Sequence, residues 1–423
     1  MLPGPLREGH PPIMYVRRSA AALAAVTVIG TAGATSAIAV DHTPSASPSV
    51  ALPAGLYGTA DPTYDGVWRQ SLALIAQSRM DVQPAVKAID WLAGQQCADG
   101  AFAAFRADPA KACDAKTMVD TNSTAAAVQG LAAVGGHEKE TGKAVTWLKS
   151  AQNKDGGWGY TPGGASDANS TSVVIGALNA VGEDPAGVRK DGKSPYDALL
   201  KLALPCADGG AFAYQPDKKG KLAANADATA AAVVGTLGTG MLATKAGDKK
   251  DVACADASDL TAEQASANGA AYLTKAVEKD GYLKSALAGA EDQPDYGNTA
   301  DAVVALAARA GTQAAQKPVR WLERNAAQWA AQSGPAAYAQ LILAADAAGA
   351  DPRDFGGTDL VKQLNAQGPA PRTAATATES EKPSQEKEDD DNGVSLWWII
   401  GVGLVAGIGI GFLLSGRNKG KRP

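Results

Sequence analysis

The stretch Gln152-Asn153-Lys154-Asp155-Gly156-Gly157-Trp158-Gly159-Tyr160, followed by Asp167-Ala168-Asn169-Ser170-Thr171, decides the fold. Paired glycines beside an aspartate are typical of a tight turn, because glycine adopts left-handed backbone angles without steric cost. Asp, Asn, Ser and Thr are preferred at helix starts, since their side-chain oxygens accept hydrogen bonds from unpaired backbone N–H groups. An Ala/Val/Leu-rich run then ends at Gly182, a residue type that closes helices. The stretch therefore predicts a glycine-rich turn and a capped helix.

Both parts of this stretch recur along the chain, which also repeats helices that end in an aromatic residue and Leu, as at 147–148. The copies of the turn lie at 96–102, 206–214 and, more faintly, 278–282, and the copies of the helix start lie at 120–124, 225–229 and 295–299. The runs after these starts stop at Gly135, Gly240 and Gly311. Asn122 and Asn169 also match a glycosylation sequon, but recurrence in register favours capping.

The repeated helices fall into two kinds. The second helix of each pair is apolar almost all round, as at 125–134 and 172–181, which is typical of a helix buried on every side. The first helix keeps a charged stripe, for example Lys143 and Lys149, and should face water. About a dozen such helices suffice to close a ring. We therefore predict an all-α fold, an α/α toroid formed by a double ring of about six helix pairs, over residues 62–367.

The turn at 152–158 resembles the Gln-Trp repeat of squalene cyclases and the related repeat of protein prenyltransferase β subunits. Together with the Asp-x-Asn-Ser-Thr helix starts, it is similar to the α/α-toroid superfamily, which also contains the vitamin B12 carriers transcobalamin and intrinsic factor. The resemblance is specific in the second repeat and weaker elsewhere, where Phe102 and Phe212 replace Trp. It implies that Gln152 and Trp158 brace loops between outer and inner helices.

The chemistry that this resemblance implies needs residues that 62–367 lacks. The cyclase branch needs an Asp-x-Asp-Asp acid, and the comparable run 389–391 lies in a linker. The prenyltransferase branch needs Asp, Cys and His on zinc, but His137 is alone in the predicted domain. The complement-type branch needs a Cys-Gly-Glu-Gln thioester. On these grounds we expect the chain to lack the catalytic residues, cofactor and metal of the superfamily. Whether it is an enzyme stays open, although the missing residues argue against enzymatic activity.

The two ends of the chain predict its compartment. Residues 1–39 read as a signal peptide with Arg17 and Arg18 before an apolar run, and Met14 is an alternative start. Residues 394–414 are apolar and long enough to span a bilayer, and the basic tail 415–423 favours a cytoplasmic end. Between toroid and membrane, 368–393 has the composition of a disordered Pro/Thr/acidic stalk. The sequence thus predicts an exported, single-pass protein of the cell membrane, with its large N-terminal part outside.

The glycines of the apolar segment and the net charge of the chain concern its possible partners. Glycines at four-residue spacing in the apolar segment, Gly403, Gly407 and Gly411, are compatible with a dimer formed through the membrane helix. The formal net charge of -5 provides no electrostatic footprint for nucleic acid.

Four cysteines lie in the predicted exported part, and an even number in an oxidising compartment favours two disulfides. Four cysteines allow three pairings, which the sequence alone does not separate. Proximity along the chain favours Cys97 with Cys113 and Cys206 with Cys254.

In this architecture the starts of the inner helices converge on one mouth, where carboxylates, amides and aromatic rings could line a funnel. The predicted ligand-binding residues are Asp120, Asn122, Asp167, Asn169, Asn225, Asp227, Asn298, Trp158, Tyr160 and Tyr214, with Phe212 and Tyr282 as further aromatic walls. Helix capping and loop bracing alone also explain each of these residues.

The sequence favours a membrane-tethered extracellular binding protein that captures a small ligand or a partner protein at the toroid mouth. The ligand could be corrinoid-like, although the β-rich second domain of the B12 carriers is missing here. One alternative is a degenerate or divergent terpene-cyclase or prenyltransferase-type enzyme, or a glycan-active toroid that uses Asp120 or Asp227. Another alternative is a cell-envelope scaffold protein.

Overall fold

The computed structural model describes residues 52–244, 252–257, 259–286 and 290–372. Within these residues it contains thirteen α-helices and one short antiparallel pairing of strand β1 (Leu283–Lys284) with β2 (Pro294–Asp295). The predicted all-α architecture is therefore confirmed for the described residues. The predicted signal peptide, membrane segment and basic tail lie outside them, as does most of the predicted stalk. Within the described residues, we find no apolar helix of membrane-spanning length.

Six helices form an inner ring. They are α1 (Gly66–Arg79), α3 (Thr121–Val134), α5 (Ala168–Ala180), α7 (Ala226–Thr236), α9 (Tyr296–Ala310) and α12 (Pro335–Ala348). Each packs against the next in this order, and α12 packs against α1, so the ring closes. The ion pair between Arg79 and Asp346 joins the first and last of these helices. Closure removes the exposed ends that an open helical array would have.

The remaining helices surround this ring. They are α2 (Val86–Gly94), α4 (Glu138–Ser150), α6 (Pro195–Leu200), α8 (Ala262–Glu278), α10 (Thr312–Asn325), α11 (Ala327–Ser333) and α13 (Leu360–Ala366). The outer helices keep charged residues in water, whereas the inner helices are buried along most of their length. This division follows from their sequences, because only the outer helices have a polar face.

Each repeated helix start is a side-chain N-cap. The carboxylate of Asp120 accepts a hydrogen bond from Ser123 N at 2.6 Å, and that of Asp167 accepts one from Ser170 N at 2.7 Å. Asn225 caps α7 and Asp295 caps α9 in the same way. Three of the four predicted ends also agree, to within two residues, with the helix ends at α3, α5 and α9.

Helix α7 ends at Thr236 and does not continue to Gly240 as predicted. Gly238 has φ +75°, a left-handed conformation that reverses the chain, and a 3₁₀ turn follows at Gly240–Leu242. That turn packs against α5, α7 and α3. Tertiary contact of the turn with α5 thus replaces the last turn of a longer α7.

The glycine-rich turns tie the inner and outer layers together. Gln152 donates from Nε2 to the backbone oxygens of Gly156 at 2.8 Å and Val188 at 3.2 Å, so it links its own turn to the next repeat. Trp158 is fully buried and donates from Nε1 to the oxygen of Leu148 at 2.7 Å. Gln96 makes the equivalent pair of bonds to Gly100 and Glu140. These contacts are the bracing roles that the family resemblance implied.

The chain has the two disulfides that proximity favoured, Cys97–Cys113 and Cys206–Cys254. At the C-terminal end, residues 368–372, which the sequence assigned to the stalk, lie against the ring. Arg372 donates from its backbone N to Gln83 O at 2.9 Å and from Nε to Pro84 O at 3.1 Å.

Candidate functional site

One stripe of each inner helix faces the interior of the ring. The outward side of each inner helix is covered by outer helices, and its two flanks are covered by the neighbouring inner helices. A stripe of half-buried residues on an inner helix can therefore face only the interior. On α7 this stripe is Asp227, Ala231 and Val234, two, six and nine residues after the N-cap. This spacing returns to the same helix face. The same count applies to α3, α5, α9 and α12, and on α1 it starts one residue later. These positions divide the interior into three layers.

The first layer lies at the mouth and is polar. It contains Asn122, Asn169 and Asp227. Asn169 Nδ2 donates a hydrogen bond to Asp227 Oδ2 at 2.9 Å, which joins α5 to α7. The amide oxygens of Asn122 and Asn169 are buried and have no hydrogen-bond partner. They can therefore accept a hydrogen bond from a bound molecule.

An aromatic residue completes the mouth. Val67 N donates to Ala104 O, as Thr121 N does to Tyr160 O, so α1 is aligned with α3 at these positions. The next residue, Trp68, is half-buried and takes the place that Asn122 has on α3. Its ring offers a flat apolar and cation-attracting surface.

The second layer, about one helical turn or 6 Å deeper, combines apolar walls with one carboxylate. Asp301 of α9 is half-buried and faces Gln340 of α12, whose Nε2 donates to the two carboxylate oxygens at 3.3 and 3.4 Å. The apolar members are Leu72, Ala126, Val173 and Ala231. Asp301 is thus a carboxylate that lies in the same layer as apolar side chains.

The third layer is open on one side and filled on the other. Val234, Val304 and Leu343 are half-buried on α7, α9 and α12. On the α3 and α5 side, Gln129 and Gly176 are covered by the turn Gly240–Leu242.

The capping acids lie behind the mouth. Asp120 is 3 % exposed, and burial raises its pKa to about 6, although hydrogen bonds from Ser123 and Asn122 act in the opposite direction. Burial likewise raises the pKa of Asp167. Tyr214 hydrogen bonds to the Asp167 carboxylate, and burial together with that negative charge raises the pKa of Tyr214 to about 12.

The predicted ligand-binding residues therefore separate by position. Asn122, Asn169 and Asp227 face the interior, whereas Asp120, Asp167 and Asn225 serve as caps. Tyr160 and Tyr214 lie beside the caps and are 51 % and 42 % exposed, so they can reach a molecule at the mouth.

Four predicted residues lie away from the interior. Trp158 and Phe212 are fully buried in the packing between layers, so their rings cannot form walls of a funnel. Asn298 hydrogen bonds to Asp295 at the start of its own helix. Tyr282 packs against Trp321 in a tilted arrangement with ring centroids 4.6 Å apart. In that repeat Leu283, not Tyr282, is equivalent to Trp158. Leu283 N donates to Thr299 Oγ1, as Trp158 N donates to Thr171 Oγ1.

Sequence reasoning missed Trp68, Asp301 and Gln340. A signal for the last two exists, since each is one of the few polar residues inside an inner helix that is mostly apolar. Within the described residues, no group of three or more His, Cys, Asp or Glu side chains is arranged to hold a metal ion.

Comparisons with known proteins point to one class of protein. The chain is 37% identical over 91 residues to drimenyl diphosphate synthase of Streptantibioticus cattleyicolor, a match that covers 22% of this chain and 15% of that protein. The expected similarity to the cyclase-type toroid proteins is confirmed. The chain thus spans only a small part of the curated relative that it matches.

No family model matches the chain. Among solved structures, ent-copalyl diphosphate synthase from Streptomyces platensis aligns with a TM-score of 0.43 and 16% identity, covering 67% of this chain and 50% of that one. A protein from Actinoplanes aligns with a TM-score of 0.31 and 16% identity, covering 66% of this chain and 99% of that one.

The main functional prediction from the sequence, an extracellular binding protein for a small ligand or partner, is wrong. The curated relative is a terpene synthase, which favours the alternative of a divergent terpene-cyclase-type enzyme. Asp301, which the ring places in its interior, lies outside any Asp-x-Asp-Asp run.

Proposed function

We propose that this protein is a divergent terpene-cyclase-type enzyme that binds an isoprenoid chain in the interior of its ring. The observation that carries the proposal is Asp301, a carboxyl group one turn below the mouth among apolar side chains, in a chain similar to a drimenyl diphosphate synthase. A protonated carboxyl group can donate its proton to a carbon–carbon double bond. A second double bond of the same chain can then attack this carbocation and close a ring. The cyclic cation loses a proton to solvent, and the Asp301 carboxylate takes a proton from solvent, so the reaction is a balanced isomerisation.

In this proposal Asp301 is the proton donor and Gln340 positions it. The two hydrogen bonds from the Gln340 amide hold the carboxyl group on the side of α9 that faces α12. Trp68 at the mouth stabilises positive charge through its ring, which is a general property of indole. The layers below supply the apolar surface that keeps water from the cation.

The head group of the isoprenoid stays outside the mouth. The Asp227 carboxylate and the amide oxygens of Asn122 and Asn169 line the mouth and repel a diphosphate. Outside the mouth, the loop between Tyr214 and Asn225 exposes Lys218, Lys219 and Lys221. These lysines provide the positive charge that a diphosphate needs.

The test is product formation from purified protein. We expect conversion of farnesyl diphosphate to a cyclic product, detected by mass spectrometry after removal of the diphosphate. Asp301→Asn should reduce the rate of conversion at least a hundredfold while leaving the melting temperature nearly unchanged. The matched control is Asp90→Asn, the same substitution on the exposed face of α2, which should retain activity.

The proposal fails if no acyclic isoprenoid, with or without a diphosphate, is converted by folded wild-type protein. It also fails if Asp301→Asn and Asp90→Asn retain equal activity. The first outcome would favour a scaffold role for the toroid.

We also propose that the enzyme is exported and anchored by residues 394–414. The two disulfides support this location, because disulfides persist mainly in oxidising compartments. Protease added to intact cells should digest the toroid and leave an epitope placed after residue 423 protected. Protection of the toroid in intact cells, with its loss after lysis, would contradict the proposed location.

A further inference from the structure

The turn Gly240–Leu242 occupies the interior of the ring. A Cβ atom added to Gly176 of α5 would lie 2.6 Å from Gly240 Cα, so the two backbones touch at a position where no side chain fits. Met241 N donates to Gln129 Oε1 at 2.9 Å, and Gln129 Nε2 donates to Val173 O at 3.1 Å. Gln129 therefore fastens the turn to both α3 and α5.

The turn lies on the inward side of these helices. The outward side of the α3–α5 pair is covered by α4. Gln129 and Gly176 follow their N-caps by nine residues, as does the half-buried Val234 on α7. These positions form the third interior layer, so Gly240–Leu242 fills that layer on the α3 and α5 side.

The space inside a six-helix ring is small enough for this turn to matter. In a regular hexagon of helices the centre lies one helix spacing, about 8–10 Å, from each axis. A helix with its side chains takes about 5–6 Å of that distance, which leaves a free radius of roughly 4 Å. A backbone segment with the side chains of Met241 and Leu242 therefore fills a large part of the lower interior.

We propose that Gly240–Leu242 is a fixed inner wall that limits the substrate to a short isoprenoid, of farnesyl length or less, lying along α7, α9 and α12. This inference rests on the proposed function and deepens it, since it assigns the substrate class of the same interior. The half-buried apolar residues Val234, Val304 and Leu343 line the space that the wall leaves open. Met241 is half-buried and packs at its edge, so Met241 is the specificity-determining residue.

The experiment compares chain-length selectivity with and without the wall. Binding of the neutral alcohols farnesol and geranylgeraniol is measured by quenching of tryptophan fluorescence. We expect wild-type protein to bind farnesol at least tenfold more tightly than geranylgeraniol. Met241→Ala should reduce that ratio at least threefold by opening the lower interior.

Two further variants test the same ratio of affinities, one by loosening the wall and one as a control. Gln129→Leu removes the hydrogen bonds that fasten the wall and should change the ratio in the same direction, provided that its melting curve remains cooperative. Met118→Ala, the same substitution as Met241→Ala at a residue that is 79 % exposed, should leave the ratio unchanged.

The outcomes separate this inference from the proposed function. Equal affinity of wild-type protein for both alcohols, or an unchanged ratio in folded Met241→Ala, overturns the inner wall even if farnesyl diphosphate is cyclised. A ratio that responds to Met241→Ala without any cyclisation supports the wall and overturns the enzyme. Binding of neither alcohol overturns the wall as well.

Discussion

Asn169 Nδ2 donates to Asp227 Oδ2 at 2.9 Å across the boundary between α5 and α7, and both residues stand two positions after the N-caps of their helices. The bond joins equivalent positions of successive repeats at the mouth. It therefore couples α5, on the filled side of the interior, to α7, on the open side.

This coupling is measurable in a double-mutant cycle. We expect Asn169→Ala and Asp227→Ala to show a coupling free energy of about 1.5 kcal/mol, the lower end of the range for a hydrogen bond to a charged group. Urea denaturation of the wild type, both single variants and the double variant supplies the four free energies of unfolding. Additivity to within about 0.3 kcal/mol would show that the two side chains do not interact in solution.

The raised pKa of Asp120 predicts a loss of stability with rising pH. Because the folded-state pKa of about 6 lies above the unfolded value of 3.8, the folded state binds more protons between these values. The free energy of unfolding should therefore fall from about pH 4 to about pH 6 and then level off. Asp120→Asn keeps a capping oxygen and should stabilise the protein at pH 7 by roughly 2 kcal/mol.

Asp197 provides a control of opposite sign. Hydrogen bonds from Ser194 lower the pKa of Asp197 in the folded state. The charged carboxylate therefore stabilises the folded protein at pH values above the unfolded-state pKa. This stabilisation is lost as the pH falls through the folded-state pKa. Asp197→Asn should thus destabilise at pH 7, whereas Asp120→Asn stabilises. Free energies from urea denaturation across pH 4–8 test both signs, and destabilisation by Asp120→Asn would contradict the assignment.

Trp158→Phe tests the brace of the second repeat. Phe102 and Phe212 occupy the equivalent buried position in two other repeats, so an aromatic ring without a donor fits there. The substitution still leaves the oxygen of Leu148 without the indole donor and should cost about 1–3 kcal/mol of unfolding free energy. Trp147→Phe, on the half-buried face of α4, should cost less than about 1 kcal/mol. Equal costs would mean that the hydrogen bond contributes little.

The two disulfides should differ in their effect on stability. Their half-cystines are 16 residues apart in Cys97–Cys113 and 48 apart in Cys206–Cys254. Since a longer loop loses more chain entropy when it is closed, paired Cys→Ala variants should lose about 3 and about 4 kcal/mol. Denaturation of both double variants measures the difference, and non-reducing peptide mass spectrometry checks the pairing. A larger loss from the shorter loop would contradict the entropic explanation.

The repeats could be located from the sequence because their signals are local. Asp120 and Asp167 hydrogen bond to backbone groups three residues away, so the pattern of residues contains the interaction. The brace of Gln152 combines a local bond to Gly156 with a distant one to Val188, and only resemblance to a family indicated its role.

The candidate site was only partly predictable. Asn122, Asn169 and Asp227 belong to the recognisable helix starts, and the structure places all three at the mouth. Asp301 and Gln340 carry no comparable motif. They meet across 39 residues of chain because α9 and α12 are neighbours in the closed ring.

By itself, the sequence determined that this protein consists of capped, paired helices with glycine-rich turns, since hydrogen bonds and backbone preferences within a few residues specify these elements. Only the tertiary structure decided which stripe of each inner helix faces the interior, because apolar residues lie on most sides of these helices. It also decided that the chain after α7 enters the ring and touches Gly176, since nothing in residues 238–244 indicates a partner on α5.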